Sequence, residues 1–174
     1  MTDFFEKVTS QVDPLKKLVG YIPGFNGYVE RQNRRDADKL VRDTVALRFE
    51  EQWKRVSQLQ SDLVSSGMIQ YVDDLEKAAI QLRTFIDRIT TAARGYSGLF
   101  DAVKINEKEL EALYQYDLAF FDVAEQVKGA VDNVEACLAD ENALPASIRN
   151  LTGLARLAIE TFDRRSEAFT GSGK

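Results

Sequence analysis

Two oppositely charged residues, Asp117 and Arg165, interrupt stretches in which apolar residues otherwise recur every three or four positions. When the helices that carry them are paired as an antiparallel hairpin, the two side chains lie one core layer apart. A carboxylate and a guanidinium removed from water should pair, because either charge alone is very costly to bury. We therefore expect a structural buried ion pair that fixes the register of the two helices. Two alternatives stay open, namely a polar ligand-binding spot inside the bundle and simple exposure at a frayed helix end.

The most charge-dense stretch of the chain is residues 31–43. Several of its charges are spaced i,i+4, including Arg34 with Asp38 and Asp38 with Arg42, so they can pair along one helix. A solvated, salt-bridged helix face is the favoured interpretation. The alternative is a docking site for an acidic partner or an anionic membrane surface, to which Tyr28, just before the stretch, would contribute.

One long connection, residues 95–105, contains two glycines and several apolar or aromatic side chains. It is too apolar for a flexible tether, and we expect it to fold over the open end of the bundle. A binding loop is the second interpretation. The candidate partner-binding residues of the whole chain are Tyr28, Arg31, Arg34, Arg35, Lys39, Arg42, Tyr96 and Phe100.

The sequence offers little for catalysis, since it contains no histidine. It therefore lacks the Glu-x-x-His pairs of di-metal bundles, histidine-based zinc sites and histidine-based triads. Glycine-rich phosphate-binding motifs are also missing. A carboxylate metal site needs several inward-facing acids, and Asp117 is the only one on a clear apolar seam. We predict no enzymatic activity, no cofactor and no metal; a small-ligand-binding or enzymatic bundle is the third hypothesis.

The apolar spacing predicts the fold class. Alternating steps of three and four residues run through four stretches, at about residues 27–65, 68–93, 106–139 and 145–169. This seven-residue recurrence is typical of helices packed together as in coiled coils. The short Ser65-Ser66-Gly67 turn joins two neighbouring helices. We expect an all-α, up-and-down antiparallel four-helix bundle with heptad packing, plus an N-terminal helical segment.

The N-terminal segment, residues 3–20, has similar apolar spacing, interrupted at Asp13-Pro14. We expect it to pack on a second apolar stripe of the longest helix, which is formed by Ala37, Leu40, Val41 and Leu47. The alternative is insertion of this segment into a membrane interface. Residues 1–26, however, hold three positive and three negative charges, without the basic excess that is typical of such anchors.

The composition is that of an ordinary globular chain: 174 residues, 44% hydrophobic and 29% charged, with a net charge of −5. We expect one helical-bundle domain over residues 1–170 and a flexible tail at 171–174. Residues 99–140 carry three Lys or Arg against ten Asp or Glu, a balance of −7, which argues against nucleic-acid binding. A single cysteine, Cys137, and no visible signal sequence favour a cytoplasmic location, with peripheral membrane association as the alternative.

Two groups of residues resemble a family of uncharacterised bacterial all-helical proteins, over about a third of the chain. They are Pro23-Gly-Phe-Asn-Gly-Tyr28 with Arg31, Arg34, Arg35, Asp38 and Lys39, and Gly98-Leu-Phe-Asp-Ala-Val-Lys104 with Tyr116-Asp117. The resemblance brings no established activity and no catalytic residues. It implies that the two regions act together, and the predicted bundle places both at the same end.

These features favour a non-enzymatic helical-bundle protein that acts in interaction or scaffolding. Its partner surface is the end formed by residues 21–42 and 95–105, and its expected partner is a protein rather than a nucleic acid. Homo-oligomerisation stays open. The alternative function is a peripheral membrane-surface protein that uses the N-terminal amphipathic helix and the basic cluster.

Overall fold

The computed structural model describes residues 13–28, 34–92 and 107–170 of the chain. Within these ranges the regular structure is helical throughout, and no strand is present. The helices are α1 (Asp13–Tyr21), α2 (Arg34–Ser65), α3 (Val72–Thr91), α4 (Glu107–Ala136) and α5 (Leu144–Thr170), and a 3₁₀ turn (Ile69–Tyr71) precedes α3. The predicted all-α class is thereby confirmed.

The turn between α2 and α3 depends on a left-handed glycine. Gly67 has a φ of +77°, and its N–H donates to the Val64 carbonyl at 3.1 Å. The N–H of Met68 donates to the Leu63 carbonyl at 2.9 Å. This is the Schellman pattern, which satisfies carbonyls that the helix leaves unpaired at its end. The predicted Ser65-Ser66-Gly67 turn is therefore confirmed.

The chain enters α5 through a turn organised by Asp140. Its Oδ1 accepts hydrogen bonds from the N–H groups of Asn142, at 3.0 Å, and Ala143, at 3.3 Å. Pro145 follows in the first turn of the helix, where its missing N–H leaves no backbone bond unmade. Local chemistry thus determines where α5 begins.

The apolar stripes face a shared interior, where aromatic rings link the four long helices. The ring-centroid distances are 4.3 Å between Phe49 and Phe85, 5.9 Å between Phe85 and Phe120, and 6.5 Å between Phe120 and Phe162. These rings come from α2, α3, α4 and α5 respectively, and all are buried, as is Leu82. Removing such large apolar surfaces from water is the main favourable contribution to folding.

Each long helix packs against two others. α2 packs on α3 and α4, and α5 packs on the same two helices. Exposed ion pairs border these contacts, including Arg48 with Glu125 at 2.9 Å and Arg88 with Asp163 at 3.0 Å. Surface pairs of this kind contribute only about 0–1 kcal/mol each. Helix packing therefore depends mainly on the apolar interior.

Helix α1 packs on α4. The ring of Tyr21 stacks on that of Phe121, with centroids 4.8 Å apart and planes inclined by 6°. The guanidinium of Arg48 lies over both rings, at 5.1 Å and 5.2 Å from their centroids. Stacking and cation–π attraction therefore attach the end of α1 to α4 and α2.

This packing corrects one expectation. The prediction that residues 3–20 cover the second stripe of α2 is wrong for the described part of that segment, because Leu40 and Leu47 are 36% and 66% exposed. Residues 3–12 lie outside the described part of the chain. Val41, at the centre of the stripe, is already buried within the bundle. Helix α1 instead packs on α4, where Tyr21 stacks on Phe121.

None of the helices in the described ranges combines the length and the apolar character needed to cross a membrane. Residues 171–174, predicted to form a flexible tail, lie outside the described part of the chain.

Candidate functional site

Two charged residues near the start of α2, Asp38 and Arg42, are buried. Asp38 and Arg42 lie one helical turn apart, and Arg42 Nε is 2.8 Å from Asp38 Oδ2, with both side chains nearly inaccessible to solvent. Arg42 Nη1 also donates to the carbonyl oxygen of Ile89, 3.0 Å away in the last turn of α3. A helix leaves its last carbonyls without backbone partners and carries partial negative charge there. Arg42 therefore caps α3 from a neighbouring helix.

Arg165 of α5 bridges two carboxylates that belong to different helices. Its Nε lies 3.0 Å from Asp117 Oδ1 on α4, and its Nη2 lies 2.7 Å from Asp38 Oδ1 on α2. All three side chains are buried. Positive and negative groups therefore alternate through the cluster, and each attraction offsets part of the cost of removing a charge from water.

The loop after α1 joins this cluster through Tyr28. The buried Tyr28 hydroxyl donates to Asp117 Oδ2. Its backbone N–H donates to the Tyr114 hydroxyl at 3.0 Å, and its carbonyl accepts from Arg34 Nε at 2.9 Å. Side chain and backbone of Tyr28 are both held in place. We call Tyr28, Asp38, Arg42, Asp117 and Arg165 the buried charge network.

The approach of this loop to α4 requires glycine at position 27. Gly27 has a φ of +82°, in the left-handed region that side chains disfavour. A Cβ added there would meet the Tyr114 hydroxyl at 2.7 Å, closer than atoms in contact can lie. The neighbouring rings of Phe25 and Tyr28 meet edge to face, with centroids 5.5 Å apart. The loop also contacts α4 through the rings of Tyr28 and Tyr114, whose centroids lie 5.5 Å apart.

Burial and neighbouring charges perturb the titration of the network. Burial raises the pKa of Asp117 to about 6, although Arg165 and the Tyr28 hydrogen bond act to lower it. Burial and the Asp117 charge raise the pKa of Tyr28 well above its usual value. Burial disfavours the Arg165 cation, yet Asp117 and Asp38 outweigh it and raise the pKa of Arg165. Near neutral pH the tyrosine is therefore neutral and the arginine charged.

The chemistry of the network is structural. Its two aspartates and two arginines balance, and all four carboxylate oxygens accept a hydrogen bond. A base or ligand function for these buried carboxylates would have to compete with the arginine and tyrosine donors that already bind every oxygen. Within the described ranges, no group of three or more His, Cys, Asp or Glu is placed to hold a metal ion. The arrangement is suited to joining helices.

The structure brings together part of the predicted site. Asp117 and Arg165 form a buried ion pair, with the third charge, Asp38, as an additional partner of the arginine. Arg35 and Lys39 are exposed on α2. The remaining sequence candidates Arg31, Tyr96 and Phe100 lie outside the described residues.

Three of the proposed partner-binding residues need correction. Tyr28, Arg34 and Arg42 are buried, so none of them offers an exposed docking surface in this structure. The spacing between Asp38 and Arg42 does form an ion pair, but the pair lies in the interior rather than on a solvated face. The physical reason is the arrival of Arg165 from α5, which supplies Asp38 with a second cation inside the bundle.

The roles of Asp38 and Arg42 were nonetheless signalled in the sequence. The core stripe of α2 runs through Val45 and Phe49 in alternating steps of three and four. Continued toward the N terminus in the same register, it reaches Arg42 and then Asp38, so both belong to the buried face. The apolar spacing gives no comparable indication for Tyr114, whose hydroxyl accepts a hydrogen bond from the Tyr28 backbone N–H.

Comparison with known proteins was negative. No protein-family model, no curated protein and no solved structure matches this chain.

Proposed function

We propose that this protein is a non-enzymatic helical-bundle scaffold, which binds a protein partner at the end formed by residues 21–42 and 95–105. The observation that supports the proposal most is that the buried charge network includes Tyr28, Asp38 and Arg42 from this end of the bundle. The network joins α2, α4 and α5 to the loop that carries Tyr28, and Arg42 extends it to the end of α3. A surface whose residues are fixed by buried contacts is preorganised, and preorganisation lowers the entropy lost when a partner binds.

We infer the finer helix arrangement from pairs of contacting residues. Asp117 contacts Arg165 and Phe120 contacts Phe162. The residue number on α5 therefore falls as that on α4 rises, which is the behaviour of antiparallel helices. The short turn between α2 and α3 favours the same orientation for that pair.

Helices α2 and α4 run parallel by the same reasoning. The pairs Arg48–Glu125 and Arg55–Asp132 are both 77 positions apart, so the two residue numbers rise together. We propose an up-and-down order along the chain, in which neighbours around the bundle follow the order α2, α3, α5, α4. Helices α3 and α4, although consecutive in the chain, then lie at opposite corners of the bundle.

Two of the predicted partner-binding residues, Arg35 and Lys39, are exposed at the proposed partner surface, and Leu40 beside Lys39 is 36% exposed. Two cations beside a partly exposed leucine suit an acidic partner segment that carries an apolar anchor. The resemblance to uncharacterised bacterial helical proteins fits this proposal, because the segments that carry it include Tyr28 and Asp117 from the network. We propose that the resemblance reflects the packing of this end.

A peripheral membrane protein is the alternative. Lys16, Lys17 and Val19 are exposed on α1, which is the observation that favours it. However, Leu18 and Ile22 are buried, so part of the apolar surface in the described portion of this segment is already used within the chain. An interfacial anchor needs an apolar face that lipid can reach. We therefore prefer the scaffold.

Affinity capture from the native host tests the proposal. The bait is the full chain, compared with Arg35→Glu/Lys39→Glu and with a control, Lys54→Glu/Lys128→Glu, which changes two exposed lysines elsewhere. We expect the wild-type bait to capture a host protein in stoichiometric amount. The control bait should still capture this protein, and the Arg35→Glu/Lys39→Glu bait should not. Salt-sensitive co-sedimentation with phosphatidylserine vesicles, lost in the same variant, would instead support the membrane alternative. A stoichiometric metal in the purified protein would contradict the non-enzymatic assignment.

A further inference from the structure

Two glycines lie inside long helices at points where no other described residue packs against them. Gly129 is in α4 and Gly153 is in α5, and a Cβ added at either would meet nothing within 4 Å. Neither has a positive φ. Glycine in a helix interior is about 1 kcal/mol less favourable than alanine. The remaining physical use of a missing side chain is the close approach of another backbone.

The charges that flank the two glycines are spaced alike and opposite in sign. Arg149 and Arg156 stand four residues before and three residues after Gly153. Glu125 and Asp132 stand at the same distances from Gly129. Residues at i, i+4 and i+7 share one face of a helix, and seven residues span about 10.5 Å. Two such faces laid together match in both spacing and charge.

The basic face borders a surface groove between α3 and α5. The groove has a volume of about 360 Å³. Its lining carries three cations against one carboxylate, and the Asp74 carboxylate pairs with Lys77 at 2.7 Å. The lining residues are Asp74, Lys77, Ile148, Arg149, Thr152, Gly153 and Arg156. The groove is therefore cationic, and at Gly153 its wall has no side chain.

The acidic face stays accessible although its carboxylates already have partners. Glu125 pairs with Arg48 at 2.9 Å and Asp132 pairs with Arg55 at 2.6 Å, yet the two acids remain 52% and 54% exposed. A carboxylate has two oxygens and can accept from a second arginine. Glu125 and Asp132 can therefore bind the cations of another molecule and keep their own.

We propose that the α3/α5 groove of one copy of this chain receives α4 of a second copy, with Gly153 facing Gly129. The charge complementarity and matched spacing identify the occupant. The acidic face borders α2 and the basic face borders α3, so the contact is heterologous and head-to-tail, and assembly can continue beyond a dimer. Because these charges are exposed to solvent before binding, their pairing is weak and sensitive to salt. This inference does not rest on the proposed function.

Charge reversal of the full chain tests the pairing by sedimentation velocity. We expect wild type to grow in mass with concentration at low salt. Arg149→Glu/Arg156→Glu and Glu125→Arg/Asp132→Arg should each weaken association by at least about tenfold, and a mixture of the two should restore it, because every contact between unlike copies is again complementary. Arg35→Glu/Lys39→Glu, with the same change of charge elsewhere, should associate like wild type.

Substitution of the glycines gives an independent test that does not depend on charge. Gly129→Ala and Gly153→Ala should each raise the melting temperature, since alanine favours the helix and its Cβ has open space. Each should nevertheless weaken self-association, because the methyl group keeps the second helix away. A wild-type chain that stays monomeric to about 1 mM, or association unchanged by both reversals and both alanines, would overturn the inference.

Discussion

Arg165 Nη2 lies 2.7 Å from Asp38 Oδ1 in the interior of the protein, although the two residues are 127 positions apart. The bond joins the first long helix to the last one, and both side chains are buried. Arg165 also pairs with a second carboxylate, that of Asp117, and this pair connects it to α4. One arginine therefore connects three helices.

Replacing Arg165 with methionine should strongly destabilise the protein. The substitution keeps an apolar stem of similar length but leaves the Asp38 and Asp117 carboxylates without their shared cation. Breaking a buried pair from one side typically costs about 3–5 kcal/mol. Urea unfolding followed by circular dichroism measures the loss. Arg164→Met, at the exposed neighbouring position, is the control and should change stability by less than about 0.5 kcal/mol.

Asp117 should make the stability depend on pH in an unusual direction. Burial raises its pKa from 3.8 to about 6, so the folded state holds this proton more tightly than the unfolded state. Its contribution to stability is fully present below about pH 4 and is lost as the pH rises through 6. The change for this group is about 3 kcal/mol at most.

The comparison of wild type with Asp117→Asn isolates this contribution, because other acids titrate in both proteins. We expect the unfolding free energy of wild type, minus that of the variant, to fall between pH 4 and pH 7. A difference that rises over this range would mean that the Arg165 and Tyr28 contacts outweigh burial.

Removing the Tyr28 hydroxyl should weaken the attachment of the loop to α4. Tyr28→Phe keeps the ring but leaves Asp117 Oδ2 without its donor, and the loss of a hydrogen bond to a buried charged group amounts to about 1–3 kcal/mol. Thermal unfolding of Tyr28→Phe and of Tyr71→Phe, at a partly buried tyrosine away from the network, should differ by this amount. Equal stability of the two variants would contradict the role of the hydroxyl.

A methyl group at position 27 should be poorly tolerated. Gly27→Ala forces alanine to a φ of +82° and brings its Cβ to 2.7 Å from the Tyr114 hydroxyl, a strain of about 1–3 kcal/mol. Gly20→Ala is the matched control, because a Cβ there meets nothing within 4 Å. We expect limited proteolysis to cleave the Gly27 variant faster in this loop, and the control to resist like wild type.

The sequence predicts local structure correctly where a residue type fits only one conformation or one side of a helix. Gly67 predicts the end of α2 because only a left-handed residue closes that turn, and the heptad spacing identifies Leu82, Phe120 and Phe162 as interior residues, which they are. The same spacing marks Asp117 and Arg165 as polar residues on the buried side. Periodicity fails to say which distant residues share a layer across non-adjacent helices.

The position of Asp38 illustrates that limit. Its i,i+4 relation to Arg42 fits a solvated surface pair and a buried pair equally well. The register of the α2 core stripe favours the buried pair, but it does not identify Arg165 as the second partner of Asp38. The packing of α1 was unpredictable for a related reason. Apolar spacing shows which face of α1 is buried, whereas the choice of α4 depends on the Phe121 ring and the Arg48 guanidinium that three-dimensional packing brings together.

A double-mutant cycle between Asp38 and Arg165 tests the buried charge network most directly. The unfolding free energies of wild type, Asp38→Leu, Arg165→Met and the double variant give the coupling between the two side chains. We predict a coupling of at least about 1 kcal/mol, within the range of about 0.5–3 kcal/mol for residues that touch. If the stability losses of the two single variants add up to that of the double variant within about 0.3–0.5 kcal/mol, as they do for independent sites, the two residues do not meet.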